Sequence, residues 1–552
     1  MQFHKGKIRL GAALLVLALG AAACGGGDDS GSSSAGGSTP EGKAGGQFSV
    51  YMGDPQNPLI PGSTSETEGG KLVDALFTGL VTYNADNSEQ EMNGVADSFE
   101  SEDSKVWTVK LKDGWTFHDG TPVTSDSFID AWNFTANSEN AQDNSYFFGN
   151  VEGYGDLQGK NDSAPAKNKM TGLKKVSDTE FQVTLTSPFR QYPLTTGYSA
   201  FFPLPQAFFK DKAAQTELGK KPIGNGPFKA DAEFVKGQGI TMSRFEDYKG
   251  NKAKADKVQF KVYTDIKTAY LDLQGGNLDV VDTVPPDNIT TYKDEFGDRA
   301  ITRPSSSFTY VGFPTYDPRF ADKKVRQAFS MAVDRKGITD AIFNGTREPA
   351  YSAISPVVNG ARKDACKYCK YDPEAAKKLL AETKFDTSKP VNLWFNAGAG
   401  HDQWMQAVGN NLRDNLGITY KLQGGLQFSE YLPKADAKGF DGPFRLGWAM
   451  DYPSPQNYLE PLYSTGAQPP NGSNSAFYSN PEFDKLIASG NSADSNEAAL
   501  EDYQKAEDVL LEDMPIMPMF FGLVQGAHSE KVSNVKIDAF TRVRVADVTV
   551  NQ

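Results

Sequence analysis

Three places in this 552-residue chain carry residues whose types and spacing could do chemistry. The first is Phe444-Arg445-Leu-Gly-Trp448-Ala-Met-Asp451-Tyr452, an apolar strand-like run that ends on a carboxylate just before Pro453 and Pro455. Loops at strand ends are where α/β proteins place ligand-binding groups, so Asp451 is a candidate to hold a cation; the alternative is that it caps the 452–455 turn. The second is Cys366-Lys-Tyr-Cys369. A zinc site would need further ligands, and His4, His118, His401 and His528 are scattered. A redox site of thioredoxin type would need Trp before the first thiol, where Ala365 stands, so a local disulfide is the expected state. The third is Cys24.

Cys24 ends an N-terminal pattern with its own meaning. Lys5, Lys7 and Arg9 precede an apolar run from Leu10 to Ala23, which closes on Ala21-Ala22-Ala23-Cys24. A basic start, a short apolar core and a small-residue site describe an export signal, too short to span a bilayer as a mature helix. The segment resembles a bacterial lipobox, in which the Cys thiol is lipidated and becomes the new N-terminus. Ala21 stands where such boxes usually carry Leu, and ordinary cleavage leaving a free Cys24 is the alternative. Residues 24–46 are Gly- and Ser-rich and are expected to form a disordered tether.

Composition excludes some functions. The net charge is −14, and removing the three basic residues of the signal takes it to about −17. Such an acidic surface argues against a nucleic-acid partner. There is no Gly-x-Ser-x-Gly elbow and no His-Glu-x-x-His, and no carboxylate pair stands out for hydrolysis, so no catalytic residues, metal or cofactor are expected.

The elements that must position these residues read as α/β. Strand-like runs lie at Gln47 to Met52, Val106 to Leu111, Val258 to Tyr263, Val391 to Phe395 and Ile516 to Phe521. Helical spacing runs through Gly70 to Thr82, Ser125 to Asn133, Lys323 to Phe343, Asp372 to Thr383, Gln403 to Leu416 and Asn496 to Asp513. The mature chain is too long for one core, so two or three domains are expected.

Several segments together resemble one family. These are Trp107-Thr-Val-Lys-Leu-Lys-Asp-Gly-Trp-Thr-Phe-His-Asp-Gly-Thr-Pro-Val, Gly224-Asn-Gly-Pro-Phe-Lys, Gly276-Asn-Leu-Asp279, Val325-Arg-Gln-Ala-Phe-Ser-Met-Ala-Val-Asp-Arg-Lys-Gly-Ile and the Phe444 to Pro455 segment. In colinear order from about residue 47 to 545, they resemble solute-binding protein family 5, the peptide- and oligopeptide-binding lipoproteins of ABC importers, here of Gram-positive, high-GC type. Most of these residues have structural work to do, as turns, core or ion pairs.

The resemblance implies a two-lobed periplasmic-binding-protein type II fold with an extra domain and a hinge. Its expected division is signal 1–23, tether 24–46, one lobe from 47–77, 204–307 and 518–552, an extra domain 78–203, and a second lobe 308–517. Hinge strands are expected near Phe308 and near Met514 to Met517. It implies a peptide ligand whose ammonium group is received by Asp451, with Trp448, Arg445, Tyr452, Phe308 and Tyr310 in or beside the pocket; an ion pair inside the lobe would explain Arg445 equally. Glu66 and Glu68 are candidates for a further acidic group near the mature N-terminus. It implies an ABC permease as partner, a monomeric state, no enzymatic activity, and a location outside the cell membrane, held there by lipid on Cys24. Other cargo of the same fold, a metal chelate, haem or an oligosaccharide, and a role as peptide-signal sensor remain open.

Overall fold

The computed structural model describes residues 45–159, 163–470 and 472–551. The signal, Cys24 and all but the end of the tether lie outside these residues. The described residues form one compact unit.

An eleven-stranded sheet runs through that unit in the order Tyr420–Gln423, Val391–Trp394, Phe444–Trp448, Ala300–Gly312, Ile516–His528, Val280–Val281, Gln47–Met52, Lys257–Val262, Gly239–Arg244, Phe228–Ala230, with Arg347–Pro349 also bonded to Ile516–His528. A separate four-stranded antiparallel sheet holds Ala96–Glu100, Val106–Leu111, Glu180–Thr184 and Leu173–Ser177. The helix Ser125–Ala136 covers it, and Trp132 lies 5.5 Å edge-on to Phe181. Buried apolar residues form three clusters. One gathers the start of the chain, the four-stranded sheet and the last twenty residues; the second gathers Phe308 to Phe521; a small third lies around Tyr270, Tyr292 and Phe296.

Two long antiparallel strands, Ala300–Gly312 and Ile516–His528, carry the chain between the two large clusters. Their ladder pairs Ala300 with Ala527 down to Pro304 with Leu523, breaks, and resumes at Phe308 opposite Phe521. Ser305, Ser306 and Ser307 thus face Gly522 alone. A Cβ at Gly522 would sit 2.8 Å from Ser305 Oγ and 3.0 Å from Ser307 Cβ, so the bulge needs glycine there. The bulged backbone is satisfied from outside the ladder: Tyr458 donates to Ser306 O at 2.6 Å, Ser355 to Ser305 O at 2.9 Å, and Ser306 N donates to Ala539 O at 3.0 Å. This places the break in the second strand at 521–523. Met514 and Met517 lie within the second cluster, at the end of the preceding helix and the start of the strand, and a smaller register shift follows between Pro518 and Phe520.

Two other sequence expectations are corrected. The helix expected from Lys323 to Phe343 is two helices, Lys323–Met331 and Arg335–Phe343, because Asp334 starts the second by accepting Gly337 N at 2.9 Å. The helix expected to begin at Gly70 is Thr67–Leu76, capped by Glu66, which accepts Gly69 N at 2.9 Å. Cys366 and Cys369 are joined, with Cα atoms 5.3 Å apart, and both are buried in the second cluster.

That cluster is also tied by Arg335, 2% exposed and with no carboxylate in ion-pair range among the described residues. Its guanidinium donates to Pro518 O at 2.5 Å, Ser330 O at 3.0 Å, Cys369 O at 2.8 Å and Ser330 Oγ at 2.7 Å, joining the helix start, the long strand and the disulfide loop. Burial of a charge is tolerable only with such saturation. Arg335→Ala would take a hydrogen bond from the buried carbonyls of Pro518 and Cys369 and open a cavity, and is expected to cost about 3–5 kcal/mol, read as a lowered urea midpoint. A loss under 1 kcal/mol would contradict this account.

Candidate functional site

The strand Phe444–Trp448 pairs with the far half of Ala300–Gly312, Trp448 opposite Phe308, and delivers Asp451 to the gap between the large clusters. The loop is held by Asn457, on the first turn of the helix Pro455–Tyr463. Asn457 Oδ1 accepts the Trp448 indole N–H at 3.0 Å and the Asp451 backbone N–H at 2.9 Å; its amide donates to Asp451 Oδ2 at 3.1 Å. The helix is capped by Ser454, which accepts Gln456 N at 3.0 Å, so Asp451 is not spent as a cap.

No cation lies within ion-pair distance of Asp451 among the described residues. Burial pushes its carboxyl up to about 6, opposed by hydrogen bonds from Asn457 and from the Tyr146 hydroxyl. Tyr146, 57% exposed, reaches it from the 78–203 segment, its ring 4.4 Å from Phe147, which in turn lies 4.6 Å from Tyr198. Tyr83 and Tyr198 also feel the Asp451 charge. They line a cavity of about 240 Å³ with Asp74, Asp538 and Arg542, in which Arg542 donates to Asp74 at 2.6 Å. A carboxylate with no cation beside it retains the capacity to accept hydrogen bonds from a charged donor.

A pole of opposite charge lies back along the same strand. Arg445 donates through Nη1 to Asn396 Oδ1 at 3.2 Å, its Nε–H has no partner, and no carboxylate pairs with it among the described residues. An ion pair inside the lobe therefore does not account for Arg445. Burial lowers its pKa, eased by Tyr431 and Tyr310. His401 stands near enough to feel it, and its pKa falls to about 4, first through burial and then through Arg445. The Trp404 indole donates to His401 Nδ1 at 3.2 Å, which puts the proton of the neutral ring on Nε2, and that buried nitrogen has no partner. Arg445 Nε and His401 Nε2 are thus two neighbouring buried donors without acceptors. The strand alone spaces Arg445 from Trp448 by about 10 Å, the span of roughly three extended residues.

The remaining candidates are placed differently. Phe308 and Tyr310 are 1% and 3% exposed and pack in the second cluster, 5.6 Å from each other and with Tyr463 6.3 Å from Tyr310. The two-residue period of the strand puts both on its covered face, so they support the pocket and do not line it. Tyr452 donates to Gln456 Oε1 at 2.5 Å and packs toward Phe189, 6.3 Å away on the opposite cluster. Glu66 is a helix cap, and Glu68 binds Lys71 at 3.0 Å and accepts Gly53 N at 2.6 Å, so neither carboxylate is unoccupied. Sequence reading missed His401, Asn457 and Tyr146. His401 could have been sought as an anion donor, whereas nothing in the spacing marks the other two. Among the described residues no group of three His, Cys, Asp or Glu could hold a metal ion.

Two large cores are joined by an interrupted ribbon, and the segment from Arg445 to Asp451 runs beside it, carrying a carboxylate and a guanidinium that have no ion-pair partner among the described residues. Residues 91–470 match the family of bacterial extracellular solute-binding proteins, family 5, and the chain belongs to that family. It is 26% identical to the periplasmic murein peptide-binding protein MppA of Escherichia coli, covering 82% of this chain and 83% of that one. It is 28% identical to the periplasmic oligopeptide-binding protein OppA of Salmonella typhimurium, covering 81% of each. Among solved structures it is similar to the unliganded open form of MppA, with a TM-score of 0.81 at 23% identity over 93% of this chain and 99% of that one. The Listeria monocytogenes ABC transporter substrate-binding protein CtaP superposes with a TM-score of 0.76 at 25% identity over 92% and 100%.

The Asp451 carboxyl also sets a stability balance. Its folded pKa of about 6 stands above the unfolded 3.8, so the folded state holds the proton more tightly. Stability from this group is full at low pH and lost as pH rises from 3.8 through 6, a cost of up to about 3 kcal/mol at neutrality. Asp451→Asn is therefore expected to stabilise the unliganded protein by about 1–3 kcal/mol at pH 7.5 and not at pH 3.5. Equal unfolding midpoints at both pH values would refute the uncompensated carboxylate.

Proposed function

We propose that the protein captures peptides outside the cytoplasm and hands them to the permease of an ABC importer. The observation that carries this reading is the buried Asp451 carboxylate with no cation of its own, paired along one strand with the unspent donors of Arg445 and His401. A zwitterion in extended form satisfies both poles. Its ammonium group meets Asp451 and the tyrosine wall, its carboxylate meets Arg445 and His401, and Trp448 and Tyr452 frame the path. Backbone pairing and hydrated side-chain pockets then give affinity with tolerance of sequence. The names of relatives, murein peptide-, oligopeptide- and dipeptide-binding proteins, support peptide as the cargo class. The family's role as binding proteins supports a non-enzymatic function.

In this reading, residues 47–77, 204–307 and 518–552 form one lobe, 78–203 an extra domain on it, and 308–517 the other lobe. The ribbon is the hinge, and closure brings the tyrosine wall of the first lobe over Asp451. A ligand closes the clamp only by binding the closed state better than the open one. Cys24 carries the lipid that anchors the protein outside the membrane; Cys24→Ala is expected to release it into the medium, and retention in the membrane fraction would remove the anchor from the proposal.

Calorimetry with trialanine and its N-acetyl form tests the ammonium site. The free amine is expected to bind about 10–100-fold more tightly, and Asp451→Asn to erase that difference. Ammonium needs the ionised carboxylate, so affinity should be flat above pH 6 and fall tenfold per unit below it. Equal binding of both peptides would overturn the assignment.

A further inference from the structure

The loop that follows Asp451 is gripped by the opposite core. Trp448 before it and Tyr458 after it pack in the second cluster, yet Tyr452 packs against the first, its ring 6.3 Å from Phe189. Phe189, Arg190 and Gln191 form a turn fixed to its own sheet, where Phe189 N donates to Ser104 O at 2.7 Å. Two hydrogen-bonded ties cross from this turn. In the first, the buried Ser454 hydroxyl donates to Oε1 of the buried Gln191. The same hydroxyl accepts Gln456 N at 3.0 Å and so caps the helix that carries Asn457, the residue holding Asp451. In the second, Arg190 N donates to Asn491 O at 2.6 Å. Asn491 donates through its amide to Glu460 Oε2 at 2.9 Å, and Gln456 donates to that oxygen at 2.5 Å while accepting the Tyr452 hydroxyl. Both ties therefore end on the stretch from Tyr452 to Gln456. Beside them lies a cavity of about 420 Å³, with Arg190, Gln191 and Leu194 on one wall and Pro453, Asn496 and Leu500 on the other. The contact is thus narrow, and it can part without opening either core. Parting leaves buried polar groups without partners, so the contact resists it.

We propose that Arg190 and Gln191 are positioning residues of the binding site, acting through Asn491 and Ser454 to hold the Asp451 loop against the first core before a ligand arrives. The nature of the ligand rests on the peptide reading above; the grip itself does not. By chain connectivity the loop belongs to the second core, and by these ties it is anchored to the first. The two cores are then coupled at the loop as well as through the ribbon. A loop already in place spares the ligand the cost of ordering it. Without the grip, only a fraction of molecules present Asp451 in position, and apparent affinity falls by that fraction whatever the peptide's terminal group.

The test combines calorimetry with small-angle scattering on the whole mature protein. Gln191→Leu removes the acceptor and is expected to weaken trialanine and N-acetyl-trialanine by the same factor, about five- to tenfold. Gln191→Glu keeps an acceptor for Ser454 and should stay within about twofold of the unaltered protein. Unliganded Gln191→Leu should show a larger radius of gyration, which saturating trialanine restores. Asn491→Ala, which cuts the second tie at Glu460, should move both peptides in the same direction by a smaller factor, and it keeps the test open should Gln191→Leu fail to fold. A lowered unfolding midpoint with affinity and radius unmoved would overturn the proposal and leave the turn a packing contact. Tighter binding by Gln191→Leu would also overturn it, because the grip would then belong to a state the ligand must break. Loss confined to the free amine would overturn it by placing Gln191 at the ammonium group. Failure of the unaltered protein to bind trialanine would instead bring down the peptide reading, and the radius of the unliganded variants would still decide the grip.

Discussion

Everything in this molecule hangs on two antiparallel strands that stop pairing for three residues. Ala300–Gly312 and Ile516–His528 belong to one ladder, yet Ser305 to Ser307 face only Gly522, and the ladder on either side belongs to a different core. Because interstrand bonds lapse there, the two halves of the ribbon can twist relative to one another without breaking paired strands. The bulge is not left loose. Tyr458, Ser355 and Ala539 occupy its backbone groups, two of them from the lobe that carries Asp451. Tyr458 is the residue next to Asn457, the amide that fixes the Asp451 loop. One helix turn thus holds the bulge with one side chain and the Asp451 loop with its neighbour, so the break in the ladder and the buried carboxylate share a support.

The site accepts a thermodynamic cost that this support makes possible. A carboxylate with its pKa raised by burial is a destabilising group at neutral pH, and it persists because Asn457 and Tyr146 hold it where a ligand can neutralise it. The same holds for Arg445 and His401, whose free donors would be cheaper in water. Each of these groups therefore carries a desolvation cost that its remaining hydrogen bonds offset only in part.

Much of the scaffold was legible in the sequence, and the failures have local causes. Alternation and helical spacing located most elements, and the Phe444 to Pro455 segment announced itself because an apolar strand ended on an acid. Phe308 and Tyr310 misled because alternation tells which residues share a face but not which face is covered, and here it is the covered one. The break at Asp334 depended on a cap that competes with continued helix, a choice made by Gly337 N and by Asn411, whose side chain accepts the Asp334 N–H at 2.8 Å. His401, Asn457 and Tyr146 act only through residues distant in the chain, or through a partner that spacing does not reveal. Glu66 and Glu68 looked available until the structure showed one capping a helix and the other holding Lys71.

Buried arginines make the distinction between scaffold and site quantitative. Arg326 donates to the carbonyls of Phe320 at 2.6 Å, Ala321 at 2.9 Å and Met514 at 3.0 Å, and to Asp513 O at 3.1 Å. Arg335 is saturated in the same way. Neither leaves a donor for a ligand, and both lie in the second core beneath the cleft. Arg445 and Arg347 each make one hydrogen bond, to an amide oxygen and to an adjacent carbonyl. Since an unpaired charged donor costs more than any neutral side chain of similar size, saturation marks a cation kept for folding and deficit marks one kept for something that arrives later. Sequence motifs do not separate these arginines, because the difference between them lies in how many carbonyl acceptors the fold brings to each guanidinium.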